Sequence, residues 1–228
     1  MSGTKIITLV GVIVGVVVIG WWALLHATPP GPRSPLSSSS TPVAPENSVS
    51  TPEISFHYPA DFSLAVKPEQ ILTKSYIPPC ELENFDYCLY YTGSAYEGSN
   101  FESAGLRIKR RSDLIAERLC LETPPAGYES LEPTSATSSD QSATSVFRPL
   151  SDAATGHYAR GELYRLYLRR SGSCFEFETR IGQSQFANYP PGTIAEFTAA
   201  DQAVLANRLR QLLGSVALAG GERVNFPQ

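Results

Sequence analysis

The spacing of apolar and polar residues divides the chain into an anchor, a spacer and a folded part. Ile6–Leu25 is a run of twenty uncharged and mostly apolar residues, about the length that a helix needs to cross a bilayer. Residues 26–52 contain seven prolines and a run of four serines, a composition that cannot bury a core. We therefore expect a transmembrane helix at 6–25, a disordered linker at 26–52 and a globular domain at 53–219. Short tails remain at 1–5 and 220–228.

Alternating apolar positions predict strands in the first half of the domain. Four stretches have this pattern, namely Ile54–Tyr58, Phe62–Val66, Asp86–Thr92 and Gly105–Arg110. After them, Ser112 is placed to begin a short helix in which Ile115 and Leu119, four residues apart, share one face. We expect that face to contact the core.

The clearest element is a hairpin over Gly161–Ile181 with Ser171–Gly172 as its two-residue turn. This turn pairs strand positions so that one face contains four large apolar residues, Leu166, Leu168, Phe175 and Phe177. On the other face Arg165 lies opposite Glu178, a pair of opposite charges that tolerates solvent. We expect the first face to lie in the core and the second face to be accessible to solvent.

A helix with a defined start is predicted near the end of the domain. Thr198 and Asp201 have the spacing of a capping box. Four apolar residues follow on one face, Leu205, Leu209, Leu212 and Val216. Together with the strands, this helix predicts an α+β fold that is mostly antiparallel sheet with helices packed on it.

Two polar stretches interrupt these patterns and predict exposed excursions. Thr123–Ser145 contains three prolines and then a tract in which eight of twelve residues are Ser or Thr. Glu81–Glu102 is acidic and rich in tyrosine, with glycines that are typical of turns.

The apolar run at the start favours an uncleaved anchor, with a cleaved signal peptide as the alternative. The run is longer than the usual apolar segment of a signal peptide. Cleavage after Ala27 would also place Leu25 where a small residue is needed. Lys5 and the amino terminus favour an inside N-terminus. The expected location is the cell membrane, with a single pass through the lipid bilayer and the C-terminal domain outside.

The cysteine pattern agrees with an exported domain. All four cysteines follow the apolar run, at Cys80, Cys88, Cys120 and Cys174, and their spacing contains no CxxC motif typical of zinc sites. Four cysteines allow three pairings, and sequence order favours Cys80–Cys88 with Cys120–Cys174. The alternative is four buried thiols in a cytoplasmic domain.

Charge and motif content argue against several functional classes. The formal net charge is −4, whereas nucleic-acid-binding proteins are usually basic. The acidic residues of Glu81–Glu102 do not follow the spacing of an EF-hand, so we expect no metal site there, and no cofactor motif is present. His57 and His157 lie in no nucleophile motif such as GxSxG. Arg107, Lys109 and Arg111 alternate along one strand face, which we expect to be solvated.

The best candidate for an interaction surface is a group of tyrosines. Tyrosine is favoured at interfaces because it is large, amphipathic and fairly rigid. Four tyrosines lie close together in sequence, Tyr87, Tyr90, Tyr91 and Tyr96. Since Tyr87 and Tyr91 share one face of the predicted strand and Tyr90 takes the other, we expect at least one side of the group to be exposed.

Both ends of the domain resemble a known family. The segment ISFHYPADF, Ile54–Phe62, resembles the strand, Tyr-Pro turn and aromatic residue that begin many PsbP-like or Mog1-like domains. The helix Ala199–Leu213 followed by Gly-Ser-Val resembles their last helix. The resemblance spans about residues 53–219. It implies an α/β/α sandwich around an antiparallel sheet, in accessory or partner-binding proteins rather than enzymes.

The four cysteines and the two polar insertions depart from that family, and none of its functional residues matches a position here. The sequence therefore favours a membrane-tethered extracytoplasmic module of the cell envelope. We expect it to be non-catalytic and to bind an envelope protein or a small ligand. The alternative is a membrane-anchored extracytoplasmic hydrolase.

Overall fold

Antiparallel strands dominate the described part of the chain. The computed structural model describes residues 46–72, 75–81, 85–130, 142–149, 153–154 and 156–227. The strands are β1 Glu46–Ser50, β2 Ile54–Pro59, β3 Phe62–Ala65, β4 Tyr87–Tyr91, β5 Phe101–Arg111, β6 Tyr128–Ser130, β7 Ser142–Pro149, β8 Ala153–Ala154, β9 His157–Leu168, β10 Ser173–Ser184 and β11 Ala217–Leu218. The helices are α1 Glu117–Glu122 and α2 Ala199–Gly214, with 3₁₀ turns at Pro68–Gln70 and Phe186–Asn188. The predicted α+β fold with mostly antiparallel sheet is confirmed.

The strands form one large and one small sheet. The large sheet has the order β3-β4-β5-β10-β9-β7-β6, with β8 paired to β9, and the small sheet has the order β1-β2-β11. Every strand pair is antiparallel. The long strands β5, β10 and β9 lie at the centre of the large sheet.

One face of the large sheet, here called the apolar face, carries the main core. Side chains of β5, β9 and β10 on this face are buried with those of β2 and of α2, which packs on β10, β5 and β2. The predicted start of α2 is confirmed, because Thr198 accepts a hydrogen bond from the amide of Asp201 in a capping box. The predicted apolar residues of this helix, Leu205, Leu209, Leu212 and Val216, are all buried.

The central hairpin has the predicted faces but a register shifted by two residues. Leu168 pairs with Ser173 and Leu166 pairs with Phe175, so the loop is the four residues 169–172 rather than Ser171–Gly172 alone. A shift of two leaves each side chain on its face, because side chains alternate with a period of two. The core assignment of Leu166, Leu168, Phe175 and Phe177 is therefore confirmed, whereas the predicted pairing is wrong.

The opposite face of the large sheet, here called the charged face, is buried as well. Arg165 and Glu176 are each 2% exposed, and Arg107 is 4% exposed. The expectation that Arg107 and Arg165 lie in solvent is therefore wrong. Alternation along a strand separates two faces, but it does not reveal whether later chain segments cover the polar one.

Three short segments cover the charged face. They are residues 75–81, the region of α1, and the residues around Tyr128, whose side chain reaches Glu178 from the start of the edge strand β6. The predicted helix at Ser112 is replaced by α1, which begins after Ala116, and Ile115 and Leu119 are exposed rather than in the core. Its buried residue is Cys120, which points to the sheet and bonds Cys174. Both predicted disulfides, Cys80–Cys88 and Cys120–Cys174, are confirmed.

The domain boundaries differ from those predicted at both ends. Glu46–Ser50 forms β1 instead of disordered linker, because it pairs along β2 and its Val49 packs on the core. At the other end Val224 is buried, and the ring of Phe226 lies 5.2 Å from that of Phe177. The folded part therefore includes residues assigned to the linker and to the C-terminal tail.

Several local expectations also need correction. Val66 is 46% exposed and lies beyond the end of β3. The flanks of the Ser/Thr-rich stretch form β6 and β7, in which Ser142 and Thr144 are buried, so Thr123–Ser145 is not one exposed loop. The part of the Ser/Thr tract before residue 142 lies outside the described residues.

The predicted anchor is not among the described residues. Ile6–Leu25 and the linker up to residue 45 lie outside them. Within the described ranges, none of the helices is long and apolar enough to cross a bilayer.

The two disulfides should differ in their contribution to stability. They join residues 8 and 54 positions apart. Loop-closure entropy then gives at most about 2.6 kcal/mol for Cys80–Cys88 and about 4.2 kcal/mol for Cys120–Cys174. In urea unfolding of the full chain followed by circular dichroism, replacing Cys120 and Cys174 by Ser should lower the free energy of unfolding more than replacing Cys80 and Cys88. An equal or reversed order would show that the covering segments, not chain entropy, set the difference.

Candidate functional site

The candidate site begins at a β-bulge in the centre of the large sheet. Gly182 pairs with Ser103, but the next residue, Gln183, pairs with Phe101, which leaves Glu102 as an extra residue on β5. A bulge places two successive side chains on nearly the same face. Glu102 and Ser103 therefore both point to the charged face.

Both side chains of the bulge hold the backbone of Ile77. The amide of Ile77 donates to Oε2 of Glu102 at 2.8 Å, and the hydroxyl of Ser103 donates to the Ile77 carbonyl at 2.6 Å. The Ser75 hydroxyl donates to the same carbonyl at 2.7 Å. Residues 75–81, which have no regular secondary structure, are thus fixed on the sheet by side chains.

Glycines in the sheet leave room for this segment. A Cβ at Gly105 would lie 2.6 Å from the Pro79 carbonyl oxygen, and a Cβ at Gly182 would lie 2.7 Å from a methyl group of Ile77. Any side chain at either position would push the segment off the sheet. The Cys80–Cys88 bond then ties its end to β4.

The fixed segment places an aromatic ring over a histidine. Nδ1 of His157, on β9, hydrogen-bonds Oε1 of Glu102. Since a carboxylate only accepts, we assign the proton to Nδ1, which leaves Nε2 as the basic nitrogen of the neutral ring. Tyr76 stacks on the imidazole with ring centres 4.2 Å apart and planes inclined by 26°. Glu102 is nearly buried, whereas Tyr76 is 69% exposed.

Tyr189 lies near this stack, and Phe186 is in the 3₁₀ turn just before it along the chain. The hydroxyls of Tyr189 and Ser184 are 2.9 Å apart, and Ser184 pairs with His157 across the hairpin. Phe186 and Tyr189 are both more than one third exposed. We call Tyr76, His157, Phe186 and Tyr189 the aromatic surface.

The arrangement offers both a binding surface and a possible base. Exposed tyrosine and phenylalanine rings are typical of interfaces. A histidine held by a carboxylate is also found in sites that activate a nucleophile, where the histidine is the base and the carboxylate orients it. The hydroxyl of Ser184, which pairs with His157 across the hairpin, is buried and hydrogen-bonds the Asn100 carbonyl oxygen at 3.3 Å as well as Tyr189. No hydrogen bond joins a serine to His157 among the described residues.

The predicted tyrosine surface does not form. Tyr90 and Tyr91 are buried, and the Tyr90 hydroxyl donates to the Gln70 carbonyl. Tyr87 and Tyr96 are partly buried and pack against the main core. The pKa of Tyr96 is raised, mainly because its side chain is partly buried. Three of the four lie on β4, which is covered on both faces, and Tyr96 packs on the core from the turn that follows β4.

Two of the three basic residues of β5 that were expected in solvent, Arg107 and Arg111, form ion pairs with buried glutamates, and Lys109 is partly exposed. Oε2 of Glu176 accepts from Nε of Arg165 at 2.9 Å and from Nη1 of Arg111 at 2.6 Å. Arg107 pairs with Glu178 at 2.7 Å. Burial lowers the pKa of Arg165, and Glu176 opposes that effect. Positive charge on the charged face is therefore compensated within the domain.

The cover is tied to the same cluster. Nη1 of Arg165 donates to the carbonyl oxygens of Cys120 at 3.0 Å and Thr123 at 2.5 Å. The Tyr128 hydroxyl donates to Glu178 at 2.8 Å. The pKa of Tyr128 is raised, first because the side chain is buried and second because the negative charge of Glu178 is close. Carboxylates, guanidinium groups and the segments above them form one network.

The acidic residues of Glu81–Glu102 were expected not to form a metal site, and one of them, Glu83, lies outside the described residues. Within the described ranges, no three His, Cys, Asp or Glu side chains are placed to bind a metal ion. Glu102 instead holds Ile77 and His157. Sequence patterns did not single out Tyr76, Phe186 or Tyr189, which are isolated aromatic residues outside strands. The sequence indicated this site only through the apolar residues near Cys80, because a disulfide at Cys80 would hold them on the sheet.

Comparisons with protein-family models, curated proteins and solved structures found no match to this chain.

The bond from Ile77 to Glu102 can be tested directly. Glu102→Ala removes the acceptor of the Ile77 amide, so amide hydrogen exchange at Ile77 should become faster. Glu97→Ala is a matched control, because Glu97 is exposed on the turn between β4 and β5. Unchanged exchange at Ile77 in the Glu102 variant would mean that the bond to Glu102 does not protect this amide.

Proposed function

We propose that this chain is a membrane-tethered extracytoplasmic binding module, and that its aromatic surface is the recognition surface. In this proposal, residues 6–25 cross the cell membrane once, with the N-terminus inside, and the domain works outside. Its partner is an envelope protein. The observation that carries the proposal is the exposed stack of Tyr76 on His157, together with the exposed rings of Tyr189, which is linked to it through Ser184, and of Phe186 in the adjoining turn.

The location is supported by the two disulfides together with the apolar run. Disulfides persist in oxidising compartments and are rare in the cytosol. All four cysteines are bonded, and each bond holds a segment that covers the charged face. A domain that relies on both bonds for its cover suits a site outside the membrane.

The recognition role is supported by how firmly the exposed ring is held. Tyr76 is next to Ile77, whose backbone is bound at both its amide and its carbonyl group. A ring on a fixed segment loses little conformational freedom on binding, which favours affinity. A tyrosine with most of its side chain in solvent contributes little to folding, so a role in binding explains its position better.

The proposal also includes the fold that the family resemblance implies, an α/β/α sandwich. An α/β/α sandwich of the PsbP-like or Mog1-like kind needs helices on both faces of a central sheet. Support comes from α2 on the apolar face and α1 on the charged face. Proteins of such a fold commonly act as accessory or partner-binding proteins, which agrees with a non-catalytic module.

A second candidate function is a membrane-anchored hydrolase. The observation that favours it is the Glu102–His157 pair, which orients an imidazole with a free Nε2 near the surface. The buried position of the Ser184 hydroxyl argues against it, because a nucleophile must reach its substrate. We therefore place binding first.

Site-specific photocrosslinking in intact membranes tests the proposal. A photoreactive phenylalanine analogue at position 76 should give a discrete crosslinked product with an envelope protein. The same analogue at position 204 is the control, because Val204 is 54% exposed on the outer side of α2, away from the aromatic surface. His157→Ala should reduce the product at position 76 by removing the support of the ring.

Two results would contradict a binding role for this surface. One is the same pattern of products from positions 76 and 204. The other is labelling of the wild-type chain by a fluorophosphonate that is lost in His157→Ala, which would identify a hydrolase instead.

A further inference from the structure

A cleft lies on the apolar side of the sheet, away from the aromatic surface. It has a volume of about 200 Å³ and opens between α2 and the strands β9 and β10. Ile181, Ala206 and Leu209 provide apolar wall, and two of them, Ile181 and Leu209, belong to the main core. The cleft is therefore a gap at the margin of the core, with an apolar interior.

Two arginines line the same cleft. Arg160 is on β9, and Arg210 is on the facing side of α2. Nη1 of Arg160 is 3.4 Å from the side-chain oxygen of Gln202, and Nη1 of Arg210 donates to that of Asn207 at 2.9 Å. Gln202 is a neutral amide, which orients the guanidinium group of Arg160 without cancelling its charge, whereas Arg210 also lies 3.9 Å from a carboxylate oxygen of Glu162.

This pairing differs from that of the arginines on the charged face. Arg107, Arg111 and Arg165 each have a carboxylate oxygen within 3 Å. Among the described residues, no carboxylate lies within 4 Å of Arg160, and the nearest to Arg210 is that of Glu162 at 3.9 Å. In a chain with net charge −4, the cleft is lined by two guanidinium groups and by the one carboxylate of Glu162, which leaves an excess of one positive charge.

Size and charge together define the ligand. The volume is below the range of about 300–1,000 Å³ for drug-sized ligands, so only a small molecule fits. A guanidinium fork matches a carboxylate in shape and hydrogen bonding. Glu162 also lines the cleft and accepts from the Tyr164 hydroxyl, so a second negative charge on the ligand would be repelled. The apolar wall favours a short hydrocarbon group.

We propose that the cleft binds a small monocarboxylate with a short apolar chain. The carboxylate lies between Arg160 and Arg210, and the chain contacts Ile181, Ala206 and Leu209. This site is separate from the aromatic surface, which is on the other face of the sheet. A result that disproves ligand binding in the cleft therefore leaves the proposed partner-binding function unaffected, and the reverse also holds.

Saturation-transfer NMR on the full chain in lipid nanodiscs tests the site, with 4-methylpentanoate as the probe. Binding should be weak, with a dissociation constant of roughly millimolar order for so few contacts. The isosteric cation 4-methylpentan-1-amine should give no specific signal, and inorganic phosphate should not compete. Empty nanodiscs report partition of the probe into lipid.

Four variants assign the signal to the cleft. Arg160→Gln and Arg210→Gln should each weaken binding by about tenfold or more, as expected for loss of a charge-assisted hydrogen bond. Ala206→Leu keeps both charges but fills the cleft, and it should also abolish binding. Arg118→Gln, at an exposed position of α1 on the charged face, removes the same charge and should bind as the wild type does.

Any of three results would overturn the proposal. They are no binding by the wild-type chain, an equal loss of affinity in Arg118→Gln and Arg160→Gln, and full binding in Ala206→Leu. Circular dichroism of each variant confirms that the fold is retained, and Arg160 is exposed, so its replacement should not disturb folding.

Discussion

Burial of ionised side chains on the second face of a sheet is the constraint on which this domain depends. Arg165 and Glu176 are almost completely inaccessible to water, so each needs the other and further hydrogen bonds to offset the cost of desolvation. The carbonyl oxygens of Cys120 and Thr123 supply those bonds to Arg165. A sheet with one apolar and one charged face is thereby covered on both, by α2 and the small sheet on one side and by short segments on the other.

The same need for cover explains where the candidate site lies. Residues 75–81 cover one end of the charged face, and a bulge in β5 turns Glu102 and Ser103 toward them. Because Glu102 holds both this segment and His157, the cover and the exposed stack are one structure. The backbone next to Tyr76 is held by the side chains of Glu102 and Ser103 and by the Cys80–Cys88 disulfide, and it fits against the sheet because Gly105 and Gly182 leave room. Tyr76 is therefore exposed to solvent on a fixed segment. A structural requirement and the proposed recognition surface therefore share the same residues.

The sequence predicted what depends on neighbours along the chain, and it failed where distant segments decide. The capping box of Thr198 and the apolar face of α2 could be identified because both follow from spacing within one helix. The hairpin faces were also predictable, but its register was not, since two- and four-residue loops preserve the same alternation. Arg107 and Arg165 were assigned to solvent because nothing in a strand records the segments that later cover it. The candidate site was missed for the same reason, because Tyr76, Glu102 and His157 are brought together from three separate segments.

A double-mutant cycle on Arg165 and Glu176 tests the buried ion pair most directly. Urea unfolding of the full chain would be measured for Arg165→Ala, Glu176→Ala and the double variant. Each single change should cost about 3–5 kcal/mol, because it removes a buried ionic partner that the remaining contacts, such as that of Glu176 with Arg111, do not replace. The double variant should then lose about 1–3 kcal/mol less than the sum of the two. Additive losses that are each below about 1 kcal/mol, as for a solvent-exposed pair, would contradict a buried and charge-compensated face.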